Sequence, residues 1–153
     1  MYNLRVRISI GADHAGYELK ESIKQALTAR GVAVDDVGTY SGDSVDYPDY
    51  AAEVAGRVVA GRSDRGILVC GTGIGMAMAA NKIGGVRAAP AHDAASARLA
   101  REHNDANILA LGARLTPTEL ALELVRIFLE TPFEGGRHQR RLDKVTALEG
   151  RKG

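Results

Sequence analysis

With 153 residues, 45% hydrophobic and 25% charged, the chain has ordinary globular composition and suffices for one domain over residues 1–153, burying about 70% of its unfolded surface. A net charge of +1 gives no global attraction to nucleic acid or a membrane surface, so any basic site must be local. One cysteine excludes an internal disulfide and a cysteine-based zinc cluster and fits a reducing compartment; MYNLRVRISIG carries no apolar leader, so a cytoplasmic protein without a membrane span is expected.

Residues 6–10 read as a β-branched strand ending at Gly11, and 11–16 as a loop. A helix follows, with Leu19, Ile23, Ala26 and Leu27 on one face and Glu18, Lys20, Glu21 and Lys24 as polar positions. Gly31 suits its C-terminal cap. Residues 32–37 form a second strand and 38–46 a polar loop. Pro48 suits the first turn of a helix capped by Tyr47, running through Val54, Val58 and Val59 to Gly61.

Residues 65–70 make the third strand, before a glycine turn and a small-residue helix to about 83. Strand 86–91 leads through His92 and Asp93 into a helix from 94 to about 103, then strand 107–111. Thr116, Pro117 and Glu119 spell a capping box, with Leu120, Leu124, Ile127 and Phe128 on the buried face behind it. Gly135 and Gly136 interrupt the chain before a basic helix over about 137–149. Five strands alternating with helices predict an α/β fold: a three-layer α/β/α, Rossmann-like sandwich on a parallel sheet, plus a C-terminal helix. Ligands in such folds bind outside the carboxyl ends of the strands. That rule gathers Asp13 and His14, the segment Cys70 to Gly75, and His92.

The stretch Cys70-Gly71-Thr72-Gly73-Ile74-Gly75-Met76 aims backbone N–H groups at whatever lies above it, which favours an anion. Cysteines at helix N-termini are common reactive thiols, while a buried structural cysteine is the other reading. Met76 stands where a dinucleotide fingerprint needs glycine and a cysteine phosphatase needs arginine, and the turn has no P-loop lysine. Asp13 with His14 reads as a helix cap or a ligand pair, and His103 as a helix-end histidine or a proton shuttle. Arg137 and Arg141, at i,i+4, present two guanidinium forks on one face, thickened by His138 and Arg140. These suit phosphate better than nucleic acid, since no aromatics are interleaved. Asp43, Asp46 and Asp49 read as loop and cap acids, so no metal is expected. A thiol, an anion-stabilising turn, histidines and arginines together suit proton abstraction next to a carbonyl, as in a metal-free aldose–ketose isomerase of a sugar phosphate.

The motifs GADHAG at 11–16, DYPDYA at 46–51, CGTGIGMAMAANK at 70–82, HNDAN at 103–107, LGAR at 111–114 and GGRHQRR at 135–141 span nearly the whole chain. In them the sequence resembles the ribose-5-phosphate isomerase B family, related to the galactose-6-phosphate and allose-6-phosphate isomerases. The resemblance implies Cys70 as the base moving a proton between C1 and C2, and the backbone of Gly71, Gly73 and Gly75 as the enediolate's oxyanion hole. It implies His103 in opening the sugar ring, Thr72 in shuttling oxygen protons, and Asp13, His14 and Asn104 in substrate binding. Arg114, Arg137 and Arg141 match the phosphate-binding arginines. It further implies no cofactor, and a homodimer or tetramer whose active sites are shared between subunits. The expected substrate pair is ribose 5-phosphate and ribulose 5-phosphate. The alternatives are a six-carbon sugar phosphate or a non-catalytic sugar-phosphate sensor.

Overall fold

The computed structural model describes residues 5–151; residues 1–4, part of the N-terminal stretch on which the leader expectation rested, and residues 152–153 lie outside it. The first β-branched run becomes β1, Arg7–Ala12. It extends past the expected end at Gly11 because Gly11 and Ala12 still pair with Leu68 and Val69. Helix α1, Tyr17–Ala29, closes on Arg30, with Gly31 just beyond at φ 81°. Next come β2, Ala33–Asp36, and α2, Tyr47–Val59. Asp46, not Tyr47, holds the cap position of α2, and Pro48 sits in its first turn. Strand β3, Arg65–Cys70, keeps its expected bounds.

Helix α3, Ile74–Ala80, is shorter than the composition suggested. Its chain turns away at Asn81, whose amide donates to Ala88 O at 2.9 Å and whose carbonyl accepts from Ala88 N at 2.8 Å. That clasp also delays β4 to Ala88–Pro90. Helix α4, Ala94–Glu102, starts in a capping box between Asp93 and Ser96 and ends with His103 as its C-cap. Strand β5 is Ile108–Gly112. Helix α5, Thr118–Glu130, corrects the predicted capping box: Pro117 takes the cap position with ψ 149°, and no side chain caps the helix. Thr116 is displaced by one residue, and its buried hydroxyl has no partner. Helix α6, Arg137–Thr146, ends the described secondary structure.

The five strands are all parallel in the order β2-β1-β3-β5-β4. Successive strand residues face opposite sides, so Ile67 and Val69 join one core while Leu68 and Cys70 join the other. The first core holds Ile10, Ile23, Leu27, Leu124 and Phe128, placing α1 and α5 on one face with Ala97 and Ala100 of α4. Val54, Met76 and Ala80 place α2 and α3 on the other. Chain order reverses between β1 and β3, the switch point that opens a crevice above their carboxyl ends.

One polar assignment is overturned. Lys20 is fully buried, its Nζ 2.6 Å from Asp36 and 5.5 Å from the Tyr17 and Tyr40 ring centres. Asp36 also accepts from Lys24 at 2.8 Å and from the Gly38 N–H at 2.9 Å. Burial alone would raise the Asp36 carboxyl, but its bonds to Lys20, Lys24 and Gly38 outweigh this and hold it below the usual carboxylate range. The sequence hid this because the partner arrives from strand β2.

Candidate functional site

At the switch point β3 ends on Cys70, which is 4% exposed. The chain then turns through Gly73 at φ 80°, where a Cβ would stand 3.0 Å from the Leu111 backbone. Glycine is therefore required, and its N–H folds back to donate to the Cys70 sulfur at 3.2 Å. The Ile74 N–H donates to Thr72 Oγ1, also at 3.2 Å. Gly75 opens the first turn of α3 beneath Tyr47, whose ring lies 2.7 Å from where a Cβ would be. Sequence reading took Tyr47 only as a cap; its place as the roof of the turn depends on how α2 packs on α3, which no local pattern reveals.

The loop after β1 closes the other wall of the crevice. The Asp13 N–H donates to Val69 O at 3.2 Å, and its carboxylate accepts from the Gly16 N–H at 3.0 Å. The helix-cap reading of Asp13 is corrected: Gly16 holds the cap position of α1 with no side-chain hydrogen bond, and the Asp13 carboxylate, in a residue 7% exposed, closes the loop instead. His14 accepts the Val45 N–H on Nδ1 at 3.1 Å, tying the 38–46 loop to this wall. From β5, the Arg114 N–H donates to Gly71 O at 2.9 Å, and its guanidinium lies against Gly71. Asp13, His14, Cys70, Gly71, Thr72, Gly73, Gly75 and Arg114 therefore occupy one end of the sheet. His92 follows β4 on the sheet edge, exposed, with its backbone N–H on Ser96 Oγ.

The remaining candidates lie at the opposite end. His103 caps the C-terminus of α4, so it sits where the chain re-enters the sheet at the start of β5. Asn104 follows it and lines a groove of about 570 Å³ with Ala88, Leu142 and Val145. Arg137 and Arg141 lie on α6, whose His138 stacks on His103 with ring centres 4.2 Å apart and planes 14° from parallel. Between Ile108 and Gly112, which pair with Gly66 and Cys70, the sheet runs four residue steps, about 13 Å at ~3.3 Å each. Within one chain, Arg114 stands at the Cys70 end while Arg137 and Arg141 lie on the helix beside His103, and the His103 imidazole is too short to span the sheet to Cys70.

His103, Glu134 and His138 bring their possible ligand atoms within 4.8 Å of one another, a donor set that suits zinc in general. Here the rings are nearly parallel and stacked. No point lies in both ring planes at a zinc–nitrogen distance of about 2.0–2.1 Å. The three form a stack rather than a chelate.

The family described as Ribose/Galactose Isomerase matches residues 8–145. The chain is 48% identical over 146 residues to ribose-5-phosphate isomerase B of Escherichia coli, covering 95% of this chain and 98% of that one. Its fold superposes with a TM-score of 0.93 on Clostridium thermocellum ribose-5-phosphate isomerase B, at 50% identity, covering 94% of this chain and 97% of the other. The Mycoplasma genitalium ribose-5-phosphate isomerase B with bound ribulose-5-phosphate gives 0.92 at 42% identity, covering 98% and 100%.

Proposed function

The chain belongs to the Ribose/Galactose Isomerase family, and on that premise we propose that it interconverts ribose 5-phosphate and ribulose 5-phosphate, with Cys70 as the base. The isomerase of Escherichia coli and the ribulose-5-phosphate complex from Mycoplasma genitalium support this substrate pair. The observation that carries the base is the Cys70 sulfur facing a glycine turn and accepting the Gly73 N–H. Negative charge on that sulfur meets a donor on the turn side, while its other side packs in the apolar core.

The aldose phosphate docks with its phosphate on arginine and its C2 near Cys70, between the walls carrying Asp13 and His14. His103 opens the ring, Cys70 takes the C2 proton, and the backbone from Gly71 to Gly75 holds the enediolate oxygen. Thr72 helps to move the oxygen-bound protons, and the carbon proton returns at C1. Both electrons stay in the sugar, so the net reaction needs no external oxidant.

Since His103, Asn104, Arg137 and Arg141 stand at the far end of the sheet from Cys70, the complete site takes two copies. One copy supplies Cys70, the turn and Arg114; a second presents its α4–α6 end. The apolar groove beside Asn104, flanked by exposed Val145 and Leu148, supports such a docking. None of the described helices is long and apolar enough to cross a membrane.

Replacing Cys70 tests the base. Cys70→Ala should abolish isomerisation and exchange of the C2 proton into deuterated water while ribose 5-phosphate still binds. General-base removal typically costs about 10²–10⁴-fold. Wild-type turnover in that variant would refute the assignment, and a preference for allose or galactose 6-phosphate in a substrate panel would overturn the pentose.

A further inference from the structure

We propose that His138 is a positioning residue for ring opening, holding the His103 imidazole in one orientation while Glu134 selects which of its nitrogens carries the proton. This rests on the assignment of ring opening to His103. A histidine on a basic, polar helix would ordinarily face water, yet His138 is only 6% exposed. The rest of its surface is spent against neighbours, among them the His103 ring. His103 is a helix-end side chain, 40% exposed, and without the stack nothing else described would fix its ring plane. The covering ring removes that freedom.

Glu134 supplies the second constraint. Its backbone N–H donates to Glu102 O at 3.0 Å, pinning the connecting segment against the end of α4. Its Oε1 then stands 3.6 Å from His103 Nε2 and 4.0 Å from His138 Nε2. These separations exceed a hydrogen bond, so the effect is electrostatic: the carboxylate favours a proton on Nε2 and leaves the Nδ1 lone pair of His103 for the sugar. In the opening step that nitrogen takes the proton from the C1 hydroxyl, the bond from C1 to the ring oxygen breaks, C1 becomes an aldehyde, and the same proton passes to the former ring oxygen.

For His103 to accept a proton, the ring stacked on it must stay neutral. His138 faces His103 at the end of α4, Glu134 in the connection, and Arg137 and Arg141 on its own helix. Burial, then His103, Arg137 and Arg141, lower its proton affinity, and Glu134 opposes them; the net direction is downward. A neutral partner lets His103 carry charge during the step.

Ribulose 5-phosphate separates this role from a structural one. Its 5-oxygen carries the phosphate, so it cannot close a furanose ring, and the reverse reaction can release an open aldehyde that cyclises in solution. His138→Ala should slow conversion of ribose 5-phosphate by about 10- to 100-fold, while proton exchange at C1 of ribulose 5-phosphate stays within about threefold of wild type. His138→Phe keeps a stacking ring without a titrating group, and should recover most of the aldose rate; it also serves if the alanine variant folds poorly. Equal losses in both directions, or no loss in His138→Ala, would overturn the proposal. His103→Ala is the control. If it shows no directional split, the assignment of ring opening to His103 fails; if it does and His138→Ala does not, only the positioning role fails.

Discussion

Mixing two variants, each impaired in converting ribose 5-phosphate, measures directly whether the site takes two copies. The chain carrying Cys70→Ala keeps its α4–α6 end, and the chain carrying His103→Ala keeps its thiol end. The sheet separates these ends by about 13 Å, from four residue steps between Gly66 and Cys70. That span exceeds the reach of an imidazole, so no side-chain rotation in one chain joins them. In a twofold dimer each site combines the thiol end of one copy with the histidine end of the other. A mixed dimer then holds one site with both residues replaced and one with both intact. Random reassortment at equal ratio makes about half of the dimers mixed, so specific activity should recover to about one quarter of wild type. The variants are unfolded together, refolded, and assayed for conversion of ribose 5-phosphate, with each variant refolded alone as the blank. If one chain instead supplied both residues, every site in the mixture would lack one of them. Recovery no greater than the sum of the two blanks would refute the shared site.

Three further expectations concern groups that hold this end of the sheet together. Asp36→Asn removes the close countercharge of the fully buried Lys20, leaving Glu21 at 3.8 Å and the Tyr17 and Tyr40 rings, whereas Lys20→Met leaves Asp36 bonded to Lys24 and to Gly38 N–H. Breaking a buried pair costs about 3–5 kcal/mol, so Asp36→Asn should fall at the upper end and Lys20→Met at the lower. Thermal denaturation checks the order, with a fall of about 10 °C or more for Asp36→Asn; a larger fall for Lys20→Met would contradict the burial argument. Because the folded Asp36 carboxyl is held below its ordinary range, the unfolded chain binds more protons there. Its contribution is complete above the unfolded value of about 3.9 and is lost as pH falls through the folded value. Acid titration of Asp36→Asn should show a shallower loss of stability in that window. At the turn, Gly75→Ala places a Cβ 2.7 Å from the Tyr47 ring; turnover should fall by about tenfold or more as the roof shifts, and unchanged kinetics would show that Tyr47 moves aside freely.

Where periodicity and punctuation were strong, the sequence was enough. Residues 65–70 alternate between two buried faces and run into glycine, so β3 and its turn are legible without coordinates. Failures arose where a competing local option won by a single residue. Thr116 and Glu119 have capping-box spacing, but Pro117 has extended backbone, and its carbonyl accepts the Ala121 N–H at 2.9 Å, shifting the helix start by one. Lys20 shows another limit: its charge marks it as exposed, and the carboxylate that lets it be buried lies 16 residues away on a neighbouring strand.

The same rule that located the thiol also divides the site. Residues following parallel strands emerge at the carboxyl end, which collects Asp13, His14, Cys70 and Arg114. A helix that returns between parallel strands must finish at the amino end, so His103 and Asn104, between α4 and β5, belong there from chain order alone. Motif matching gathers both sets into one list because it ignores chain direction. Chain direction, once restored, turns that list into two groups at opposite ends of the sheet, and the proposal that they serve one site becomes a question about a second copy rather than about side-chain conformation. His138 follows the same logic. In the sequence it is one more member of a basic cluster, but its burial and its ring stacked on His103 support the positioning role proposed for it.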